Sequence, residues 1–247
     1  FALSRAMRWP QVTTLHGRLD LDELRTVYSH FNDMGLVSIS NSQRQPIPSV
    51  KWLATVYHGL PSEELTPSER TSDYFAFVGR VSPEKRLDRA IEIAKAVGTK
   101  IKIAAKIDSV DQEYHERVIV PLLDHPLVEF VGEIDERTKV TFMGNAKALL
   151  FPIDWPEPFG LVMIESLACG TPVLAFRRGS VPEIIEHGVS GFVVDDMPAA
   201  IEAARSIQRL DRTKVRKAFE QRFTARRMAE DYVGVYEQVS NVQRSKR

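Results

Sequence analysis

From Tyr74 to Val194 short apolar runs alternate with stretches of helical period, and that alternation leaves few folds open. The apolar runs are Tyr74–Val78, Lys100–Ala105, Leu127–Val131, Ala148–Phe151, Pro172–Phe176 and Gly191–Val194. Between them lie Glu84–Val97, with Leu87, Ala90, Ile91 and Ala94 on one face, then Gln112–Leu123, Glu136–Asn145, Gly160–Ala168 and the short Pro182–Glu186. Strands joined by helical crossovers pair in parallel, because a tight turn can only return the chain antiparallel. The expected fold class is α/β with a doubly wound parallel sheet, in the common six-strand order 3-2-1-4-5-6.

That order puts a crevice at the carboxyl ends of strands one and four, where the winding reverses and ligands bind. The turn after strand one reads Gly79-Arg-Val-Ser-Pro-Glu-Lys85. Ser82 suits an N-cap and Pro83 the first helical position, so Arg80 and Lys85 are expected beside a helix N-terminus. Cations are disfavoured there by the helix dipole unless an anion lies between them, and a diphosphate fits. The alternative is a pair of solvated charges. The turn after strand four carries Glu157-Pro-Phe-Gly-Leu-Val-Met-Ile-Glu165. Glu157 lies in a proline-flanked turn and Glu165 two turns into a helix, placing carboxylates and free amides where a polyhydroxyl or anionic ligand would sit. Here the alternative is a solvated Glu157 and a surface Glu165.

The chain before Tyr74 is different. Gln11–Leu15, Leu36–Ser40 and Trp52–Tyr57 read as strands and Asp22–His30 as a helix, with prolines between them. These resemble the closing part of a second α/β domain whose opening strands are absent. After Asp195 only helices are expected. Thr224 caps the last, which carries Met228, Tyr232, Val235, Tyr236 and Val239 on one face and so should pack on a domain. The expected division is 1–60, 61–222 and a C-terminal helix over 223–247 that returns to the first part.

Lys+Arg and Asp+Glu balance at 33 each, so no net charge draws the chain to nucleic acid. The lone Cys169 excludes an internal disulfide and reads as a small core residue rather than a nucleophile. No apolar run is long enough for a membrane span, and no charged leader precedes an apolar core. The chain opens at Phe1 without an initiator Met, so the true N-terminus is expected upstream. No Asp-x-Asp and no His/Cys cluster with ligand spacing points to a metal.

Five segments together resemble one family. They are Gly79-Arg-Val-Ser-Pro-Glu-Lys85, Phe130-Val-Gly-Glu-Ile134, Glu157–Glu165, Ala168-Cys-Gly-Thr-Pro172 and Gly179-Ser-Val-Pro-Glu183. In this order they resemble the nucleotide-sugar domain of a retaining family-four glycosyltransferase, with the GT-B fold of two Rossmann-like domains across a cleft. The resemblance implies that Arg80 and Lys85 bind the donor diphosphate and that Glu157 holds donor-sugar hydroxyls. It implies that Glu165 takes the ribose and that Gly79, Phe159, Gly160, Leu161 and Val162 form the turns around sugar and phosphate. Ile134 would lie beside the base, Lys139 nearby, and His16 near the donor sugar from the opposite domain; a structural histidine is the alternative. Two departures stand out: Arg86 follows the lysine where the family has Gly, so a side chain there should narrow or recharge the pocket, and a Gly-rich loop of the N-terminal domain is missing.

The resemblance implies metal-independent transfer from a nucleoside-diphosphate sugar to an unknown hydroxyl on a sugar, lipid-linked sugar or small metabolite. It implies no cofactor, no protein nucleophile, a UDP-type donor, a role in carbohydrate biosynthesis and a cytoplasmic setting, peripheral to a membrane in some members. Rival classes are a donor-binding fragment without turnover and another GT-B enzyme, such as a phosphorylase or epimerase. Lys139 and Lys147, in polar or helical contexts, are poor candidates for the Schiff base a phosphorylase cofactor would need. The strands before residue 60 have too few companions, so self-association or poor order is expected there.

Overall fold

The computed structural model describes residues 1–7, 10–68 and 71–244. The first part forms a parallel sheet of β1 (Thr13–Thr14), β2 (Leu36–Ser38) and β3 (Trp52–Thr55), in the order β1-β2-β3. The second forms a parallel sheet of β4 (Tyr74–Arg80), β5 (Lys100–Lys106), β6 (Val128–Phe130), β7 (Ala148–Phe151), β8 (Val173–Phe176) and β9 (Gly191–Val194). Its order is β6-β5-β4-β7-β8-β9, as expected from the crossovers.

Successive side chains of a strand face opposite ways, and the two cores of this sheet follow that period. Phe75, Phe77, Ala148 and Leu150 pack with Leu87, Ile91, Ala94 and Ala204 on one face. Tyr74, Ala76, Leu149 and Phe151 pack with Ile164, Leu167, Val215 and Phe219 on the other. Each fully buried large side chain stabilises the fold by roughly 1.5–3 kcal/mol.

Several boundaries move. The helix expected from Glu84 runs Leu87–Val97, because Arg86 stands before it at φ 53, in the left-handed region. Ser82 therefore does not cap this helix and Pro83 is not its first position; the Ser82 hydroxyl is buried without a hydrogen-bond partner among the described residues. The stretch Gln112–Leu123 is helical throughout, but its middle, His115–Ile119, winds as a π-helix.

The segment before residue 60 has its own packing. Leu15, Leu19, Tyr28, Leu36, Ile47 and Val50 cluster on one side of its sheet. On the other, Val37 and Val56 meet Val235, Met228 and Tyr232 of the helix Ala225–Arg244. Thr224 Oγ1 accepts from Arg227 N at 3.2 Å, the cap expected, and Tyr232 donates to Thr14 at 3.0 Å. Tyr236 does not join this face. It stands one residue further round the helix from Val235 and is 52% exposed. Residues 245–247 lie outside the described residues.

Candidate functional site

β4 sits between β5 and β7, so the reversal of winding falls where the sequence placed it. At the carboxyl ends of β4 and β7, facing the three-stranded sheet, lies a cleft of about 560 Å³. His16, Gly79, Lys85, Glu157, Phe159, Gly160, Leu161, Val162 and Glu165 all line it.

Glu157 is the centre of this arrangement. Its side chain is 10% exposed, and Oε2 accepts from Lys85 Nζ at 2.5 Å and from Trp155 Nε1 at 3.1 Å. Two glycines allow the close packing around it. Gly160 holds φ 80, and a Cβ there would meet Met163 Cε at 2.8 Å and Glu157 Cγ at 3.3 Å. Gly179, at φ 53, passes so near that a Cβ would stand 2.4 Å from Glu157 N and O. Any larger residue at these positions would push the carboxylate out of place.

Gly160 precedes the helix Leu161–Ala168 and brings no side-chain cap. The first-turn amides thus face the cleft with the positive end of the helix dipole, a setting suited to an anion. Glu165 lies within that helix and accepts from Lys139 at 3.0 Å. Lys139 also meets Glu136 at 2.6 Å. Burial opposes its charge, but the bonds to Glu136 and Glu165 win and raise its pKa above the ordinary lysine value.

Three residues singled out in the sequence do not line the cleft. Arg80 pairs instead with Asp111 at 3.4 Å and with Glu84 and Asp108 at 3.6 Å. Ile134 packs on the core of the large sheet, and Lys139 reaches the cleft only through Glu165. Arg86 neither narrows nor recharges the cleft. Its guanidinium turns to Asp88 at 2.8 Å and Asp154 at 3.1 Å.

Other residues enter that sequence reasoning passed over. His58 follows β3 as His16 follows β1, and their rings stack with centroids 5.3 Å apart and planes within 15°. His58 meets Phe159 edge-on at 4.9 Å. Burial, then the neighbouring His16 and Arg227, push its pKa down to about 4. Trp155 and Arg18 complete the wall, with the Arg18 guanidinium 5.8 Å from the indole centre. A His-Gly pair ending a strand, present at both 16–17 and 58–59, is the one signal that could have found His58. Cys169 is fully buried, and burial first of all raises its thiol to about 11, so it is an inert core residue.

Among the described residues no group of three or more His, Cys, Asp or Glu is placed to hold a metal ion. Nor is any described helix long and apolar enough to cross a membrane.

A parallel α/β sheet whose winding reverses beside a cleft, faced by a second α/β sheet, is the architecture of GT-B glycosyltransferases. Residues 63–226 match the family model described as glycosyl transferases group 1, and the chain belongs to that family. It is 33% identical over 228 residues to an uncharacterised glycosyltransferase of Methanocaldococcus jannaschii, covering 78% of this chain and 58% of that protein. It is 29% identical over 183 residues to the D-inositol 3-phosphate glycosyltransferase of Mycolicibacterium smegmatis, covering 65% of this chain and 39% of that protein. The chain thus spans less than two thirds of the length of these relatives.

Solved structures agree on the fold. Sucrose-phosphate synthase from Thermosynechococcus elongatus superposes with a TM-score of 0.82 at 17% identity, over 98% of this chain and 71% of that one. Anabaena HepE, solved with UDP and glucose, gives 0.76 at 20% identity, over 98% of this chain and 73% of that one. The expectation of a Rossmann-like GT-B α/β fold holds, and so does that of the glycosyltransferase family.

Proposed function

We propose that this chain carries the donor site of a retaining, metal-independent hexosyltransferase, which moves a sugar from a nucleoside-diphosphate sugar to a hydroxyl acceptor. The observation that carries the proposal is one cleft shared by Lys85, Glu157, Glu165 and the uncapped helix N-terminus, with His16 facing them from the other sheet. In this reading Lys85 exchanges its carboxylate partner for the departing diphosphate, and the first-turn amides of Leu161 and Val162 share the charge. A group of that electrostatic kind is worth roughly 10²–10³ in rate. Glu157, released on one side, accepts hydroxyls of the sugar; Glu165 accepts the ribose hydroxyls. Arg80 contributes only after leaving Asp108, Asp111 and Glu84, so Lys85 has the leading role.

The division at 60/61 and 222/223, the cytoplasmic setting and the absence of a resident cofactor belong to the same proposal. So does self-association through residues 1–60, which sedimentation of the chain would detect. HepE was solved with UDP, which makes UDP the first donor nucleotide to try. Calorimetry with UDP, GDP and ADP, each with and without a chelator, tests the site. Binding that the chelator leaves unchanged is the expected result, and no binding of any of the three at millimolar concentration overturns the proposal. A second reading is a donor-binding module without turnover. Hydrolysis of a bound nucleotide sugar separates the two.

A further inference from the structure

Trp155 lies two residues before Glu157, outside any strand or helix, and lines the cleft. Its indole N–H donates to Glu157 Oε2 at 3.1 Å, the same oxygen that Lys85 takes at 2.5 Å. Both cations of the cleft wall also lie on the indole. Lys85 Nζ is 5.1 Å and the Arg18 guanidinium 5.8 Å from the ring centre. The backbone closes the same turn, Glu157 N donating to Trp155 O at 2.8 Å.

We infer that Trp155 is a positioning residue for Glu157 and thereby sets which donor sugar is accepted. The inference rests on the proposed function and goes further in one respect. A diphosphate entering the cleft competes with Glu157 for Lys85. Once Lys85 turns to phosphate, the indole N–H is the remaining side-chain donor on Oε2. It cannot follow the phosphate, because it is neutral and belongs to a ring that still lies against Arg18 and whose backbone is tied to Glu157 N. Nor does it cancel the charge of the carboxylate, as a lysine does. With Oε2 held in this way, Oε1 meets the sugar from one direction, and a carboxylate oxygen only accepts, so the sugar hydroxyl must donate to it. Discrimination between sugars differing in one hydroxyl direction depends on that fixed geometry, since a site built to bond a hydroxyl rejects the analogue that leaves it unpaired. Without the N–H, Oε2 regains a free lone pair and the carboxylate can turn to accept either epimer.

Trp155→Phe keeps a ring of similar shape and removes the N–H. The test is calorimetry of the chain and this variant with free UDP and GDP, and with the C4-epimeric pairs UDP-glucose/UDP-galactose and GDP-mannose/GDP-talose. The variant is expected to bind free nucleoside diphosphate within about twofold of the parent and to lose about tenfold in its preference between epimers, the loss of one hydrogen bond to a charged group. An unchanged epimer preference overturns the inference and leaves the proposed function standing, as does a parent chain that binds nucleoside diphosphates but shows no preference between epimers. A parent that binds none of these ligands, nor ADP, overturns both. A second measurement does not depend on how Trp155→Phe folds. The indole N–H proton of Trp155, followed by NMR on the ligand-free chain, should move upfield in Glu157→Gln as the charged acceptor is lost. A resonance unmoved by that substitution equally overturns the inference.

Discussion

Two carboxylates in one cleft are set apart by their partners. Glu165 keeps Lys139, which lies outside the cleft, whereas Glu157 keeps Lys85, which lies inside it. Glu165→Ala should therefore weaken nucleotide binding by roughly 1–3 kcal/mol, the loss of a hydrogen bond to a charged group. Glu157→Ala frees Lys85 for phosphate, so free diphosphate should bind as well as before or better while nucleotide-sugar use falls. Calorimetry with UDP against UDP-glucose separates the two effects, and abolished diphosphate binding in a folded Glu157→Ala would reverse the assignment. Arg86 is the other residue whose backbone makes a claim. At φ 53 a side chain costs about 1 kcal/mol that glycine avoids. Arg86→Gly and Arg86→Ala both lose the ion pairs to Asp88 and Asp154, so their difference isolates the backbone. Urea melts should show the glycine variant more stable by about 1 kcal/mol; equal stabilities would remove strain from the account.

At the scale of elements, His58 ties the end of β3 to the turn before the helix Leu161–Ala168. Its folded-state pKa, about 4, is depressed below the ordinary 6.5. The unfolded chain therefore binds the proton first as pH falls, so stability is fully present above pH 6.5 and drains away between there and pH 4. His58 is only half-buried, which discounts the contribution to on the order of 1–2 kcal/mol. Urea melts at pH 7, 5.5 and 4 should show the chain losing about 1–2 kcal/mol more than His58→Phe as pH falls from 7 to 4; parallel losses would show that His58 is not the group responsible. The elements themselves were largely legible. β7 and β9 fall where the apolar runs Ala148–Phe151 and Gly191–Val194 stand, because buried parallel strands are apolar on both faces. The start at Leu87 was not legible, since it depends on a left-handed Arg86 that local propensity argues against. Lys85 and Glu157 sit in two local turns and Glu165 in the helix that follows the second, so all three could be read from spacing. His58, Arg18 and the outward turn of Arg80 could not, because they depend on how one sheet faces the other and on Asp108 and Asp111 from a different turn.

The two sheets are held in register by a few polar groups. The carboxylate of Glu183, in the short helix Val181–Ile184, accepts from Asn41 N at 2.8 Å, Asn41 Nδ2 at 3.1 Å, Ser42 N at 2.7 Å and Tyr57 OH at 2.9 Å. Each side is braced on its own: Arg222 donates to the Glu183 carbonyl within the larger part, and Arg227 to those of Tyr57 and His58 at 2.9 and 2.8 Å within the smaller. The chain crosses between the sheets twice, at Leu60 and Thr224. These crossings lie side by side, with Leu60 N bonded to Phe223 O and Ala225 N to Leu60 O, each at 2.9 Å. Gly59 permits that approach, since a Cβ would come within 2.2 Å of Thr224 O. The crossings form a narrow hinge and Glu183 a latch beyond it. Glu183→Ala leaves both apolar cores intact and removes four acceptor contacts between the sheets. The cleft should then open, with a larger radius of gyration in solution scattering. Free diphosphate, held by Lys85 and the helix N-terminus on one side alone, should bind within about twofold. Anything that needs His16 beside Glu157 should weaken by roughly 1.5–3 kcal/mol, as for a lost hydrogen bond to a charged group. Unchanged scattering together with unchanged nucleotide-sugar affinity would show that the hinge suffices to keep the cleft closed.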